Sequence, residues 1–156
     1  MADGAKVPGS LSPADSPAVI AHINLIQGII NRLAGNSSSC KTWCITLVSA
    51  LLSLAGATHT PTIATVTLVP LVIFGFMDTL YLTQERAYRG LYTRVVLKVR
   101  GQQYQLGDAF DAAAPFHWVS ALKSVKSWSI YPVYGGLLVL YGAAYWMGWF
   151  RLLAKV

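Results

Sequence analysis

From residue 128 to residue 150 the chain carries no charged side chain. Two similar runs precede it: residues 42–57 have no charge, and residues 62–82 have only Asp78. A helix crosses the hydrocarbon core of a bilayer in about 17–25 apolar residues. The second and third runs reach that length, and the first falls just short. Charged residues make up only 12% of the 156-residue chain, against about 25% in soluble domains. That balance excludes an ordinary soluble domain, a disordered chain and a disulfide scaffold. Trp128, Tyr131 and Tyr134 stand at one end of the last run, and Tyr145, Trp146, Trp149 and Phe150 at the other. This is the aromatic belt of a spanning helix. The pattern predicts an all-α membrane protein with three transmembrane helices, at about 42–57, 62–82 and 128–150. They form one domain over residues 18–150, with a disordered tail at 1–17 and a short tail at 151–156.

Only Gly56-Ala57-Thr58-His59-Thr60-Pro61 separates the first two runs, so they are expected to form an antiparallel hairpin. Segment 83–127 holds Arg86, Arg89, Arg94, Lys98, Arg100, Lys123 and Lys126. Segment 1–41 holds Lys6, Arg32 and Lys41, and the hairpin loop has no Lys or Arg. The positive-inside bias then places the N-terminus and segment 83–127 of this multi-pass chain in the cytoplasm. Arg151 and Lys155 fall outside, which weakens that bias without reversing it. Residues 1–17 are rich in Gly, Pro, Ser and Ala and lack the apolar stretch of a signal peptide or a lipidation motif. Pro70, inside the second run, predicts a kink.

Residues 18–34 form an amphipathic pattern. Val19, Ile23, Ile26, Ile30 and Leu33 make an apolar seam at helical spacing. On another face Asn24, Gln27 and Asn31 begin a polar row that continues through Gly35 to Ser38, Thr42, Thr46, Ser49 and Ser53. The mean step is close to the 3.6 residues of an α-helix turn. One reading makes the row packing glue between spanning helices. The other makes it the lining of a water-filled path at the centre of an oligomer. Asn and Gln are more polar than simple glue requires, which adds weight to the lining and leaves both readings open. The run Gly35-Asn36-Ser37-Ser38-Ser39 leaves two forms of the amphipathic helix open: continuous with the first span, or preceding it as an interfacial helix.

Beyond residue 82 the helical pattern continues. Arg86, Arg89, Arg94 and Lys98 share roughly one half of the helical wheel, with Tyr88, Leu91, Tyr92 and Val95 on the other. The basic half is either a solvated positive-inside face or a phosphate-binding surface. In the second case Arg86, Arg89, Arg94 and Lys98 would hold an anionic ligand, and Tyr88 and Tyr92 would stack on bases. Anionic lipid headgroups would satisfy the same charges. Asp78 is the ionisable group within a span. It is read either as a structural pair or cap, with Lys41 or Arg86 as its partner, or as a gating residue.

Residues 101–127 read as a polar connection followed by a short amphipathic helix, in which Phe116, Trp118, Val119, Leu122 and Val125 dip into the interface. Asp108 and Asp111 lack the further carboxylates of a metal site and are read as turn or cap residues. His117 is read as interfacial packing. Cys40 and Cys44 cannot complete a zinc site by themselves and are read as small helix residues, with a redox switch as the alternative. No phosphate-cradling glycine loop, H-E-x-x-H motif or Ser/His/Asp set is present. The chain is therefore expected to be neither an enzyme nor a cofactor carrier.

The stretch from His22 through Gln27-Gly28, Asn31-Arg32 and Ala34-Gly35-Asn36-Ser37, followed by Lys41-Thr42-Trp43 and Thr46 to Leu51, resembles a family of small bacterial membrane proteins. Phe76-Met77-Asp78, Tyr81-Leu82, Gln84-Glu85-Arg86 and Arg89-x-Leu91-Tyr92 resemble that family's second-span exit. Ser120-Ala121 and residues 131–142 are similar to its last span. The resemblance covers about residues 20–145. The sequence departs from it at Leu33, where the family has Met, and at Ser38-Ser39-Cys40, where it has bulkier residues. Such proteins occur as membrane effectors in anti-phage operons beside a nucleotidyltransferase, most closely in the Hailong-type system. The resemblance implies a tetrameric channel controlled by an oligonucleotide signal, with Asn24, Gln27 and Asn31 in the pore and Arg86, Arg89 and Arg94 on the signal. The leading expectation is thus a homo-oligomeric channel gated from the cytoplasmic side by an anionic nucleotide or oligonucleotide, acting by depolarisation. Its partners would be membrane lipids, further copies of itself and the operon's nucleotidyltransferase. The alternatives are a non-conducting scaffold for a soluble partner and a small exporter subunit that uses Asp78.

Overall fold

A computed structural model describes residues 16–115, 121, 124 and 127–146. The described residues are 83% helical and contain no strand. Among the described residues, four continuous α-helices run in the order α1 (Pro17–Thr58), α2 (Pro61–Val66), α3 (Leu68–Arg100) and α4 (Gly136–Trp146). A 3-10 turn at Leu106–Asp108 follows α3, and a π-helical turn at Tyr131–Gly135 leads into α4.

The helix ends follow from local chemistry. Ser16 Oγ accepts from Val19 N–H at 3.4 Å, the N-cap arrangement, and Pro17 stands next, where a missing N–H costs nothing. The helix therefore begins at the last residue of the expected tail. At the other end His59 takes a positive φ of 53°, and Thr60 N–H bonds back to the Ala55 carbonyl at 3.2 Å. That is a Schellman closure with His in the place that Gly usually takes. Pro61 then opens α2 at once, so the hairpin loop shrinks to His59-Thr60. Where Pro70 predicts a kink, the helix is interrupted at Thr67, between α2 and α3. Pro70 has no N–H for the Val66 carbonyl, and Thr67 closes the gap by bonding Ala64 O through both N–H (3.2 Å) and Oγ1 (2.6 Å).

Helix α1 does not break at Gly35–Ser39, so the amphipathic helix is continuous with the first apolar run. Two helical stretches, Pro17–Thr58 and Thr62–Arg100, are long and apolar enough to cross a membrane. The third expected span is helical over residues 131–146. Its last four residues lie outside the described part, as do the tails at 1–15 and 151–156, Phe116, His117, Trp118, Val119, Leu122 and Val125.

The chain divides into two compact units. In the first, described over 16–33 and 84–115, Val19, Ile26 and Ile30 pack on Leu91 and Val95 of α3 and on Tyr104 of the following loop. Ile23, Tyr88, Tyr92 and Val99 close the edges of this core. In the second, described over 34–83, 121, 124 and 127–146, Cys44 and Val48 meet Leu71, Leu82, Ile130 and Tyr134. A Cβ at Gly75 would stand 3.4 Å from the Tyr134 ring, in ordinary van der Waals contact. That ring lies on α3, where its hydroxyl donates to the Phe74 carbonyl at 3.3 Å.

Candidate functional site

In the second unit the buried seam of α1 carries two polar residues one turn apart, Ser37 and Lys41. Facing them is Asp78 of α3, whose side chain is 0% exposed. The Ser37 hydroxyl donates to Asp78 Oδ1. Lys41 Nζ donates to Ser37 Oγ at 2.9 Å and stands 2.8 Å from Asp78 Oδ2. It acts on that oxygen as a charge, without hydrogen-bond alignment. The three side chains close a triangle, so the buried carboxylate is both ion-paired and hydrogen-bonded, as burial of a charge demands. Of the two partners the sequence offered for Asp78, the structure brings Lys41 to it. Cys40 and Cys44 lie on the same seam as buried free thiols. The Cys44 thiol points at the Pro70 carbonyl, 4.0 Å away.

The polar row lies on the other side of α1. Asn24 and Asn31 in the first unit are exposed and Gln27 is half-buried. Ser38, Thr42, Thr46, Ser49 and Ser53 in the second unit are all exposed. The buried row runs Val19, His22, Ile26, Ile30, Leu33, Ser37, Cys40, Cys44 and Val48. At 100° per residue the two rows stand roughly 150° apart. Two of the hydroxyls bond to their own helix: Thr42 Oγ1 to Ser38 O at 3.3 Å and Thr46 Oγ1 to Thr42 O at 2.9 Å. Asn24, Gln27 and Asn31 make no side-chain hydrogen bond among the described residues.

The basic residues of α3 are placed less uniformly than the helical wheel implied. Arg86, Arg89, Arg94 and Lys98 are exposed. Arg89 pairs with Glu85 one turn back, Nη2 to Oε1 at 2.7 Å. Lys98 reaches Asp108 Oδ1 at 2.6 Å. Tyr88 and Tyr92 pack against the core of their unit, so Tyr92 has only part of its ring available for stacking. Asp108 serves its turn: Oδ2 accepts from Gln105 N–H at 3.0 Å. The Lys98 hydrogen bond, helped by that N–H, holds its carboxyl below the usual carboxylate range. Asp111 Oδ1 likewise accepts from Ala113 N–H at 3.1 Å. Among the described residues no group of three metal-ligating side chains comes together.

One cluster escaped the sequence reading. His22, buried on the apolar seam of α1, has Nδ1 2.8 Å from the Tyr104 hydroxyl and Nε2 3.0 Å from the Asp111 carbonyl. Burial, with the Asp108 charge nearby, pushes the Tyr104 phenol up. The available signal was a histidine in phase with Val19 and Ile26, a position that demands a buried partner. Periodicity does not say that the partner lies 82 residues away. No family model, curated protein or solved structure matches the chain.

Proposed function

We propose that this chain is a bacterial multi-pass membrane protein that assembles with copies of itself around a polar path for ions. The observation that carries this reading is the polar row on the unbroken helix α1, turned away from the helix's own packing. A 42-residue helix is about 63 Å long at 1.5 Å per residue, twice the ~30 Å hydrocarbon core. Membrane residence is supported by what the second unit leaves uncovered. Trp43, Val69, Val72, Ile73, Phe76 and Val139 are all more than half exposed, which water would not tolerate over so wide a surface. On α1, residues 41–58 span about 26 Å. The Lys41–Asp78 pair therefore belongs near the edge of the hydrocarbon, on the side away from the hairpin turn.

Self-assembly is supported by a second regularity. Ala21, Gly28, Gly35, Thr42, Ser49 and Gly56 recur every seven residues along α1, and all but the half-buried Gly56 are exposed. A Cβ on Gly28, Gly35 or Gly56 would meet nothing within 4 Å. The chain's own packing has no use for those glycines, and glycine inside a helix costs about 0.5–1 kcal/mol relative to alanine. Small residues at heptad spacing let parallel copies of a helix approach closely. The row Asn24, Gln27, Asn31, Ser38, Thr42, Thr46, Ser49 and Ser53 would then face an interior that water fills.

In this reading Arg86, Arg89, Arg94 and Lys98 form the cytoplasmic contact for an anionic ligand, and Asp78 with Lys41 is the gating pair. The resemblance of residues 20–145 to anti-phage effectors makes a nucleotide or oligonucleotide the ligand class and depolarisation the outcome. The test is ion flux through liposomes containing the purified protein, with its mass in detergent measured alongside. Flux that falls when Asn31 is replaced by Leu is expected. A monomer, or no flux with any anionic ligand or voltage, overturns the channel reading in favour of a scaffold.

A further inference from the structure

The segment after α3, residues 101–115, lies over the first unit as a strap. It is tied to α3 by Lys98–Asp108 and to α1 by His22. The imidazole is 1% exposed and the Tyr104 ring 1%. A carbonyl only accepts, so the 3.0 Å contact to Asp111 O places a proton on Nε2. In the neutral ring Nδ1 is then a bare lone pair, and the Tyr104 hydroxyl donates to it across 2.8 Å. Every polar atom of the pair is satisfied without water. Next to the carbonyl that His22 holds, Phe110 takes a φ of 65°. A bulky side chain keeps that conformation only when its surroundings enforce it.

We propose that His22 is an acid-sensitive latch, holding the strap against α1 while the imidazole is neutral and releasing it on protonation. The second proton goes to Nδ1, where it meets the Tyr104 O–H head-on. The phenol must turn its hydrogen away, and Tyr104 has no other hydrogen bond among the described residues. Protonation thus buries a cation and orphans a hydroxyl in the same place. The Asp108 carboxylate is close enough to attract the imidazolium, yet it is already committed elsewhere. The Asp108 carboxylate is engaged by Lys98 and Gln105 N–H, and the Asp111 carboxylate by Ala113 N–H. The α1 and α3 residues packed around the cluster, Val19, Ile26, Leu91 and Val95, are apolar. Histidine is the side-chain type that takes up a second ring proton in mildly acidic conditions. Tyr104 is a member of the unit's core. Its departure therefore loosens residues 17–33 of α1 from the last turns of α3.

Hydrogen exchange on the full-length protein in detergent tests this at pH 7.5 and 5.5, with rates corrected for intrinsic pH dependence. The amides of Asp108, Asp111 and Ala113, all hydrogen-bonded within the strap, are expected to lose protection at least ten-fold on acidification. In His22→Gln their protection is expected to be the same at both pH values. Should that variant not fold, Tyr104→Phe carries the test. It keeps the ring and removes the donor, and the strap is expected to be already less protected at pH 7.5, with a smaller acid step. An unchanged wild type overturns the latch, as does a full acid step in Tyr104→Phe. So does an acid step that survives His22→Gln and disappears in Asp108→Asn.

Discussion

Asp78 has no solvent to fall back on, whereas Lys41 keeps a fifth of its side-chain surface exposed. The two ends of this pair therefore respond differently to truncation. Lys41→Met leaves a buried carboxylate with only neutral neighbours, the Ser37 hydroxyl and the Tyr134 phenol, a loss of about 3–5 kcal/mol. Asp78→Asn keeps an acceptor for Ser37 and frees an ammonium that snorkels outward, a loss nearer 1–3 kcal/mol. Thermal unfolding in detergent is expected to rank the variants in that order, with the double variant recovering part of the Lys41→Met loss. An equal loss in both single variants would mean that Lys41 does not neutralise Asp78. Asp108 behaves differently on titration. Its carboxyl is depressed in the folded protein, so its contribution is present above the unfolded value of about 3.9. That contribution is lost only as pH falls through the lower folded value. The Lys98 tie therefore holds across the range from pH 8 to 5, where the His22 latch is expected to act.

Helix α1 shows where sequence-level reasoning reached and where it stopped. The seam Val19–Ile26–Ile30–Leu33 was legible, because an apolar face repeats with the helix. Continuity through Gly35–Ser39 was not. Gly, Asn and Ser have poor helix propensity, and intrinsic preference is readily overridden by packing. Here the override has an address, since Ser37 and Cys40 are buried on the seam and Ser37 is bonded to Asp78. His22–Tyr104 and the π-helical turn at Tyr131 were equally invisible, since both depend on partners far away in sequence. The pairing of Arg89 and Lys98 with acids also needed the structure. The heptad of small residues gives a prediction at this scale. Gly35→Ala adds a methyl group that meets nothing within the chain and removes glycine's entropic cost, so the isolated chain is expected to gain about 0.5–1 kcal/mol. Gly35→Leu should fold as well but sediment as a smaller species. If both variants keep the parent's mass in detergent, α1 is not the face on which copies meet.

For the molecule as a whole, charge is partitioned as sharply as apolarity. Apart from Lys41 and Asp78, which neutralise each other, residues 34–83 carry no Asp, Glu, Lys or Arg. The first unit exposes Arg32, Arg86, Arg89, Arg94 and Arg100. Moving such a row of guanidinium groups across a bilayer is prohibitive, while moving the turn His59-Thr60, with no formal charge when the imidazole is neutral, costs far less. The positive-inside bias therefore predicts one orientation, with the turn outside and residue 93 inside. Single cysteines at His59 and Thr93, both exposed, test this in intact cells with a membrane-impermeant maleimide. The native thiols Cys40 and Cys44 are buried and are expected to give little background. His59→Cys should label in intact cells, and Thr93→Cys only after the membrane is opened. Labelling of both in intact cells would refute a crossing between them. Labelling of neither until lysis would place the whole chain on the inner side, and the polar row of α1 would then have no membrane to breach.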